Sequence, residues 1–149
     1  MSTVQAKINI RAPVQIVWET VMDPDRLGDW VTIHRSLTDA SPHQLRKGST
    51  MEQVLRMRGV SFRVRWTLVD VRPPRHAEWK GHGPAGSCAW IRYQLSGEDD
   101  GSTAFEYMNE FTAPGGRLGN VASRMIVGAA SERESQESLK RLKALLEHG

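Results

Sequence analysis

Four polar side chains occupy positions at which a β-sheet would turn them toward its interior. Gln53, Tyr93, Tyr107 and Asn109 each lie two residues from apolar side chains, and residues two apart in a strand point to the same face. Amide and phenol groups set among apolar residues can orient a bound small molecule. The alternative is a filled core in which these groups hydrogen-bond to one another. The residue pattern alone is compatible with both a small-molecule cavity and a filled core.

The apolar residues of the same faces would form the wall of that cavity. The alternation is clearest from Val60 to Leu68 and then breaks at Leu68-Val69-Asp70-Val71, which predicts a bulge. We expect ligand contacts from Phe62, Val64, Trp66 and Leu68 in this strand. The full inward-facing apolar set is Met51, Leu55, Met57, Phe62, Val64, Trp66, Leu68, Ile91, Phe105 and Phe111.

Two further residues are candidates for the ligand site. His34 follows a predicted short helix, where it could bind a polar head group or act as a base; the alternative is a surface histidine beside a turn. Met125 lies on the apolar stripe of a long C-terminal helix, together with Leu118, Ala122, Ala129 and Leu139. We expect this stripe to pack across the sheet and close the cavity.

The predicted cavity is poor in acids and bases, so the sequence leaves catalysis undecided. Arg63 and Arg65 alternate with the inward residues and therefore point outward. A tyrosine with an ordinary pKa is a poor base at neutral pH. His76, Glu78 and His82 share strand parity, but a metal site built on them would need a partner from elsewhere in the chain. We therefore expect no metal site, and no cofactor is expected either. The lone Cys88 is interpreted as a buried structural thiol.

A basic patch is expected on the outer face of the two strands joined at Gly59. It comprises Arg56, Arg58, Arg63 and Arg65, which could bind phosphate or an acidic partner, or could simply face solvent. Because no aromatic residues are interleaved with these arginines to stack bases, the pattern argues against nucleic-acid binding.

The sequence leaves the oligomeric state of the protein open, with a homodimer as one alternative.

Length and composition set the general class of the protein. The 149 residues, 39% hydrophobic and 25% charged, predict a single domain spanning residues 1–149. No apolar run approaches the roughly 20 residues that a membrane-spanning helix needs. A single cysteine excludes an intrachain disulfide, and together with the absence of a signal-like N-terminus it favours a reducing, cytoplasmic location.

The order of predicted elements indicates an α+β fold. A strand near residues 3–10 precedes a helix that begins at Pro13 and a short helix at 24–30. Antiparallel strands follow up to Phe111, and a helix spans about 116–147. The long helix is the one element able to cover the sheet, so the predicted architecture is a curved antiparallel sheet wrapped around it.

Several segments resemble the SRPBCC or START-like superfamily, which has the helix-grip fold. The matching residues are Ile8-Asn9-Ile10-Arg11-Ala12-Pro13-Val14 with Val17-Trp18-Glu19, then Asp23-Pro24, Trp30, Phe111 and Pro114-Gly115-Gly116. The similarity is closest to the polyketide cyclase/dehydrase and lipid-transport branch, and it implies a cavity for a lipid or aromatic polyketide. The segment Trp30-Val31-Thr32-Ile33-His34-Arg35 resembles actinobacterial proteins of which some are toxin–antitoxin partners.

The resemblance implies three alternative functions, because this fold serves several. The first is binding of a hydrophobic small molecule. The second is a polyketide cyclase/dehydrase enzyme, and the third is a regulatory partner of the toxin–antitoxin type.

Overall fold

The computed structural model describes residues 2–38, 45–57, 59–112 and 121–148, without the side chains of residues 2 and 121–131. Two 3₁₀ turns, Pro24–Arg26 and Pro84–Gly86, interrupt the loops. The helices and strands, in chain order, are β1 (Ser2–Ile10), α1 (Val14–Val21), α2 (Leu27–Trp30), β2 (His34–Thr38), β3 (Thr50–Met57), β4 (Val60–Arg72), β5 (His76–His82), β6 (Cys88–Gly97), β7 (Thr103–Thr112) and α3 (Val121–His148).

The strands form one antiparallel sheet in the order β1-β7-β6-β5-β4-β3-β2. Consecutive strands from β2 to β7 are neighbours in the sheet, and β1 pairs with β7 at the edge opposite β2. The predicted α+β architecture, with a curved antiparallel sheet, two short helices after the first strand and a long C-terminal helix, is confirmed. The alternation of apolar and polar residues produces it, since only one face of the sheet is covered.

The predicted break in the alternation of β4 is a bulge. Leu68 pairs with Trp79, but Asp70 pairs with Glu78, so the register shifts by one residue between Leu68 and Asp70. An extra residue in one strand changes which face the following side chains occupy. Leu68 is therefore completely buried, whereas Asp70 lies beside His76 and Glu78 on the outer face.

Strand β2 was not predicted from the sequence. It pairs antiparallel with β3 at the edge of the sheet, with an irregular register between His34 and Ser36. Only Leu37 among its five residues is apolar, so no alternating pattern marks it. As an edge strand, β2 is held by backbone hydrogen bonds to β3 on one side, and its other side has no neighbouring strand. Such a strand can form with little apolar surface of its own.

Glycines permit the turns of two hairpins. Gly59, between β3 and β4, has φ +80°, and Gly101, between β6 and β7, has φ +85°. These left-handed conformations are strained for side chains with a Cβ. Both hairpins were predicted from the sequence at these positions.

The C-terminal half of α3 packs on β1 and α2. Leu139 and Leu142 are buried in the same core cluster as Ile10 and Phe105. The backbone N–H of Arg11 donates to Glu147 Oε2 at 2.8 Å, which attaches the end of α3 to the turn after β1. The predicted packing of Leu139 is thus confirmed. Leu118 and the side chains of Ala122, Met125 and Ala129 lie outside the described residues.

No helix in the described part of the chain is both long and apolar enough to cross a membrane.

Candidate ligand-binding site

A cavity of about 490 Å³ lies between the inner face of the sheet, the α1–α2 segment and α3. Its wall is mainly apolar, with a polar region where α3 meets the loop after α2. Among the described residues it is lined by Val21, Met22, Pro24, Leu27, Trp30, Val31, Ile33, Met51, Gln53, Leu55, Met57, Val60, Phe62, Val64, Trp66, Trp79, Gly83, Pro84, Ser87, Cys88, Ala89, Ile91, Tyr93, Tyr107, Asn109, Phe111, Thr112, Glu134, Ser135 and Ser138.

Seven of the ten residues predicted to contact a ligand lie on this wall. They are Gln53, Phe62, Val64, Trp66, Tyr93, Tyr107 and Asn109. Leu68 does not: it is 0% exposed and packs in the core cluster, outside the lining formed by the described residues. His34 is not on the lining, but it is hydrogen-bonded to Gln53, which is. The Met125 side chain lies outside the described residues. The structure thus brings most of the predicted set together, and their role in binding stays a prediction.

Gln53 holds Trp66 and His34 in one hydrogen-bonded chain. Trp66 Nε1 donates to Gln53 Oε1 at 2.9 Å, and Gln53 Nε2 lies 2.8 Å from Nδ1 of His34. Because the amide oxygen of Gln53 is taken by the indole, its nitrogen faces His34 and donates to an unprotonated Nδ1. Burial lowers the pKa of His34, which favours the same neutral state. His34 is half-buried at the start of β2, directly after the turn at residues 32 and 33.

Trp66 lies directly against the backbone of β5. A Cβ added to Gly81, its partner across the ladder, would lie 2.6 Å from Cζ3 of Trp66 and 2.8 Å from Cγ1 of Val64. No real side-chain carbon approaches that closely, so only glycine leaves room for the indole. The absence of a side chain at Gly81 therefore determines where one cavity wall lies.

Four aromatic rings form the part of the core next to the cavity. Tyr93 contacts Phe105 edge-on at 5.4 Å between ring centroids, and it lies 6.1 Å from Tyr107 and 6.3 Å from Trp30. Burial raises the pKa of Tyr107 to about 12 and raises that of Tyr93 further. Both phenols therefore stay protonated at neutral pH and can orient a ligand without acting as bases.

A carboxylate reaches the cavity from α3. Thr32 Oγ1 donates to Glu134 Oε2, and the Thr32 N–H donates to Ser138 Oγ at 3.0 Å. Glu134 is half-buried, and both Glu134 and Ser138 are on the lining. Among the described lining residues Glu134 is the one carboxylic acid, and none is an arginine, lysine or histidine. The apolar stripe of α3 gave no sign in the sequence that Glu134 or Ser138 would reach the cavity.

A second polar group adjoins this carboxylate. The Tyr107 phenol is hydrogen-bonded to Ser135 and Asn109. The contact uses Nδ2 of Asn109, because its Oδ1 is buried and has no partner among the described residues. The indole Nε1 of Trp30 is likewise buried without a partner in the described part of the chain. Buried polar groups are normally paired, so these two atoms need an explanation.

Sequence reasoning missed several residues of the wall. Trp79 alternates with His76, Glu78 and Lys80, so strand parity could have identified it. Trp30, at the end of α2, is 2% exposed and had no periodic signal, because α2 has only four residues. Cys88 was expected to be buried, whereas it is half-buried on the cavity wall.

Three potential metal ligands cluster on the outer face of the sheet. Ligand atoms of Asp70, His76 and Glu78 lie within 4.8 Å of one another. Each carboxylate is next to an arginine: Arg72 Nε is 3.4 Å from Asp70 Oδ2, and Arg92 Nε donates to Glu78 Oε1 at 2.8 Å. The cluster is thus an ion-pair network whose acids already have cationic partners.

The predicted basic patch lies on the outer face of β3 and β4. Arg56, Arg63 and Arg65 are exposed there, and Arg63 Nη1 is 3.3 Å from Glu52 Oε1. Arg58 lies outside the described residues.

Two curated relatives match almost the whole chain. Toxin Rv0910 from Mycobacterium tuberculosis strain H37Rv is 28% identical over 141 residues, which cover 94% of each chain. An uncharacterized protein of the same strain, Rv1546, is 27% identical over 147 residues, covering 97% of this chain and 99% of the relative.

Solved structures with the same fold agree with the architecture. The Zhui aromatase/cyclase from Streptomyces sp. R1128 superposes with a TM-score of 0.77 at 17% identity, covering 97% of this chain and 93% of that one. TTHA0849 from Thermus thermophilus superposes with a TM-score of 0.75 at 16% identity, covering 97% of this chain and 96% of that one.

The family model described as polyketide cyclase / dehydrase and lipid transport matches residues 1–147. The chain therefore belongs to the polyketide cyclase/dehydrase and lipid-transport family, as the sequence resemblance indicated.

Proposed function

We propose that the protein binds a hydrophobic small molecule, of the lipid or aromatic polyketide class, in the cavity between the sheet and α3. The observation that carries this proposal is the cavity itself, with a volume of about 490 Å³ and a mainly apolar wall. Ligand cavities typically measure about 300–1,000 Å³ and combine an apolar wall with a few polar groups. Water molecules are poorly stabilised in such a cavity, because the apolar wall offers few hydrogen-bond partners.

A fluorescent uncharged probe tests this proposal. N-phenyl-1-naphthylamine should bind saturably to the wild type, with its emission enhanced in the apolar site. Ala89 lies on the wall, so Ala89→Phe places a ring in the cavity and should weaken binding at least tenfold. Ser96 is exposed, outward-facing and on the same strand, so Ser96→Phe is the matched control. Equal probe affinity in Ala89→Phe and the wild type would contradict the proposal.

A second candidate function is that of a cyclase/dehydrase enzyme, and Glu134 is the observation that favours it. A carboxylate on the wall of an apolar cavity can take a proton from a bound polyketide. In that case Glu134→Gln would stop regiospecific cyclisation of a poly-β-ketone without weakening its binding. If the substrate binds but returns unchanged from the wild type, this candidate fails.

A third candidate, regulation through a protein partner, is supported by the 28% identity with the relative named a toxin. Arg56, Arg63 and Arg65 would provide an exposed surface for an acidic partner. Such binding would weaken steeply with salt, because exposed charges are screened. Replacing Arg56 and Arg63 with Glu would then abolish partner binding and leave probe uptake intact.

A further inference from the structure

The polar region of the cavity wall is rich in hydrogen-bond acceptors. Oε2 of Glu134 accepts a hydrogen bond from the Thr32 hydroxyl, so Oε1 can accept another one. No arginine, lysine or histidine among the described residues forms an ion pair with Glu134. A half-buried carboxylate that has one hydroxyl partner among the described side chains therefore faces the ligand space.

Asn109 adds a second acceptor to the same region. Its Nδ2 is used by Tyr107, whose phenol also bonds Ser135, the residue next to Glu134 in α3. The Asn109 Oδ1 atom is buried and without a partner among the residues that the structure describes. An acceptor buried without a donor costs free energy, which a donating ligand recovers once the Asn109 side chain turns toward the cavity.

The chemistry of these atoms restricts what a ligand can present. A ligand carboxylate would meet the Glu134 carboxylate in an apolar space, where like charges repel strongly and desolvation is costly. A hydroxyl can donate to Glu134 or Asn109, and its oxygen can still accept. An ether or ketone could accept but not donate.

We infer that the ligand of this cavity is an apolar molecule whose polar end is an uncharged hydroxyl, and that ligands ending in a carboxylate are rejected. The inference rests on the proposed function and specifies the ligand class of the same site. Glu134 and Asn109 set this selectivity, while the aromatic and aliphatic wall supplies most of the contact area.

Four compounds with one ring system test the inference by calorimetric titration at pH 7. They are naphthalene, 2-naphthol, 2-methoxynaphthalene and 2-naphthoate, which differ only in the polar end. We expect 2-naphthol to bind at least about tenfold more tightly than 2-methoxynaphthalene, because only the former donates a hydrogen bond. We expect 2-naphthoate to bind at least about tenfold more weakly than naphthalene.

Charge-removing variants show whether Glu134 is responsible. Glu134→Gln keeps the size of the side chain and should reduce the ratio of 2-naphthol affinity to 2-naphthoate affinity at least tenfold. Glu132 is exposed on the same helix, so Glu132→Gln removes the same charge as a matched control. It should leave all four affinities at the wild-type values.

The outcomes separate the inference from the proposed function. If naphthalene binds but the wild type does not distinguish 2-naphthol from 2-methoxynaphthalene, the inference is wrong and the proposed function stands. An unchanged 2-naphthol to 2-naphthoate ratio in Glu134→Gln also overturns it. If none of the four compounds binds, both the inference and the proposed function fail.

Discussion

Trp66 donates its indole N–H to Oε1 of Gln53 at 2.9 Å, so an amide on β3 fixes the largest side chain on the inner face of β4. Both residues are buried, at 5% and 5% exposure. Because water cannot reach either group, the two side chains satisfy each other's hydrogen-bonding capacity. It also determines which end of the Gln53 amide faces His34.

Loss of the Gln53 amide should destabilise the protein measurably. Gln53→Leu has a similar volume but leaves the indole N–H of Trp66 buried without its partner. We expect the free energy of unfolding to fall by about 1–3 kcal/mol in urea titrations. Gln94 is exposed and bonds His76 at 2.9 Å, so Gln94→Leu is the control and should change stability by less than about 1 kcal/mol. Equal effects of the two substitutions would argue against the buried bond.

Acidification should weaken the fold through His34. Its pKa is lowered in the folded protein, so between the ordinary value of 6.5 and the folded pKa the unfolded chain binds more protons. The contribution of His34 is thus fully present above about pH 6.5 and declines as the pH falls toward the folded value. Protonation at Nδ1 would also place an N–H against the Gln53 amide N–H.

The measurement is the free energy of unfolding between pH 7.5 and 5 for the wild type and His34→Gln. We expect the variant to lose less stability than the wild type over this range. His82 is exposed, so His82→Gln serves as the control and should keep the wild-type slope. The same slope in all three proteins would be incompatible with the role given to His34.

Glu147 should contribute stability that is lost only in strong acid. Its pKa is lowered to about 2, chiefly by the hydrogen bond from Lys143 and also by the backbone N–H of Arg11. A carboxylate with a lowered folded pKa stabilises the protein above its unfolded pKa of 4.5, and the effect fades as the pH falls toward 2.

Substitution of Glu147 should therefore show a characteristic pH dependence. Glu147→Gln should be less stable than the wild type at pH 7 and nearly equal to it at pH 2, as measured by chemical denaturation. Glu137 is exposed on the same helix, and Glu137→Gln should follow the wild type at both values. A Glu147→Gln deficit that persists undiminished at pH 2 would contradict this assignment.

A methyl group at Gly81 should displace Trp66. Gly81→Ala places a Cβ 2.6 Å from the Trp66 ring, so the indole must move or the strands must separate. We expect a loss of about 1–3 kcal/mol in stability and a changed near-ultraviolet circular dichroism spectrum. A Cβ at Gly97 meets open space, so Gly97→Ala should leave both quantities near the wild-type values. An unaltered Gly81→Ala spectrum would show that the ring does not lie there.

Strand parity explains why most of the sheet and much of the cavity wall could be predicted from the sequence. In β4 the residues that alternate with Arg63 and Arg65 are apolar, and Phe62, Val64 and Trp66 do line the cavity. The break at Leu68-Val69-Asp70-Val71 also predicted the observed bulge. Such patterns are local, so one strand carries enough information to assign its own faces.

The missed features depend on contacts between distant segments. β2 has one apolar residue and exists because β3 offers an edge to pair with. Glu134 faces the cavity because Thr32, 102 residues away in sequence, binds its carboxylate. Helical periodicity treats such a polar residue as solvent-facing, so the stripe of α3 gave no sign of it.

The most direct test of the account is to locate a bound apolar molecule by NMR. Naphthalene bound to isotope-labelled protein should give intermolecular Overhauser contacts to the ring protons of Trp66, Tyr93 and Tyr107, and these contacts should disappear in Ala89→Phe. Contacts confined to outer-face residues such as Trp90, or contacts to the inner rings that persist unchanged in Ala89→Phe, would contradict a ligand site between the sheet and α3.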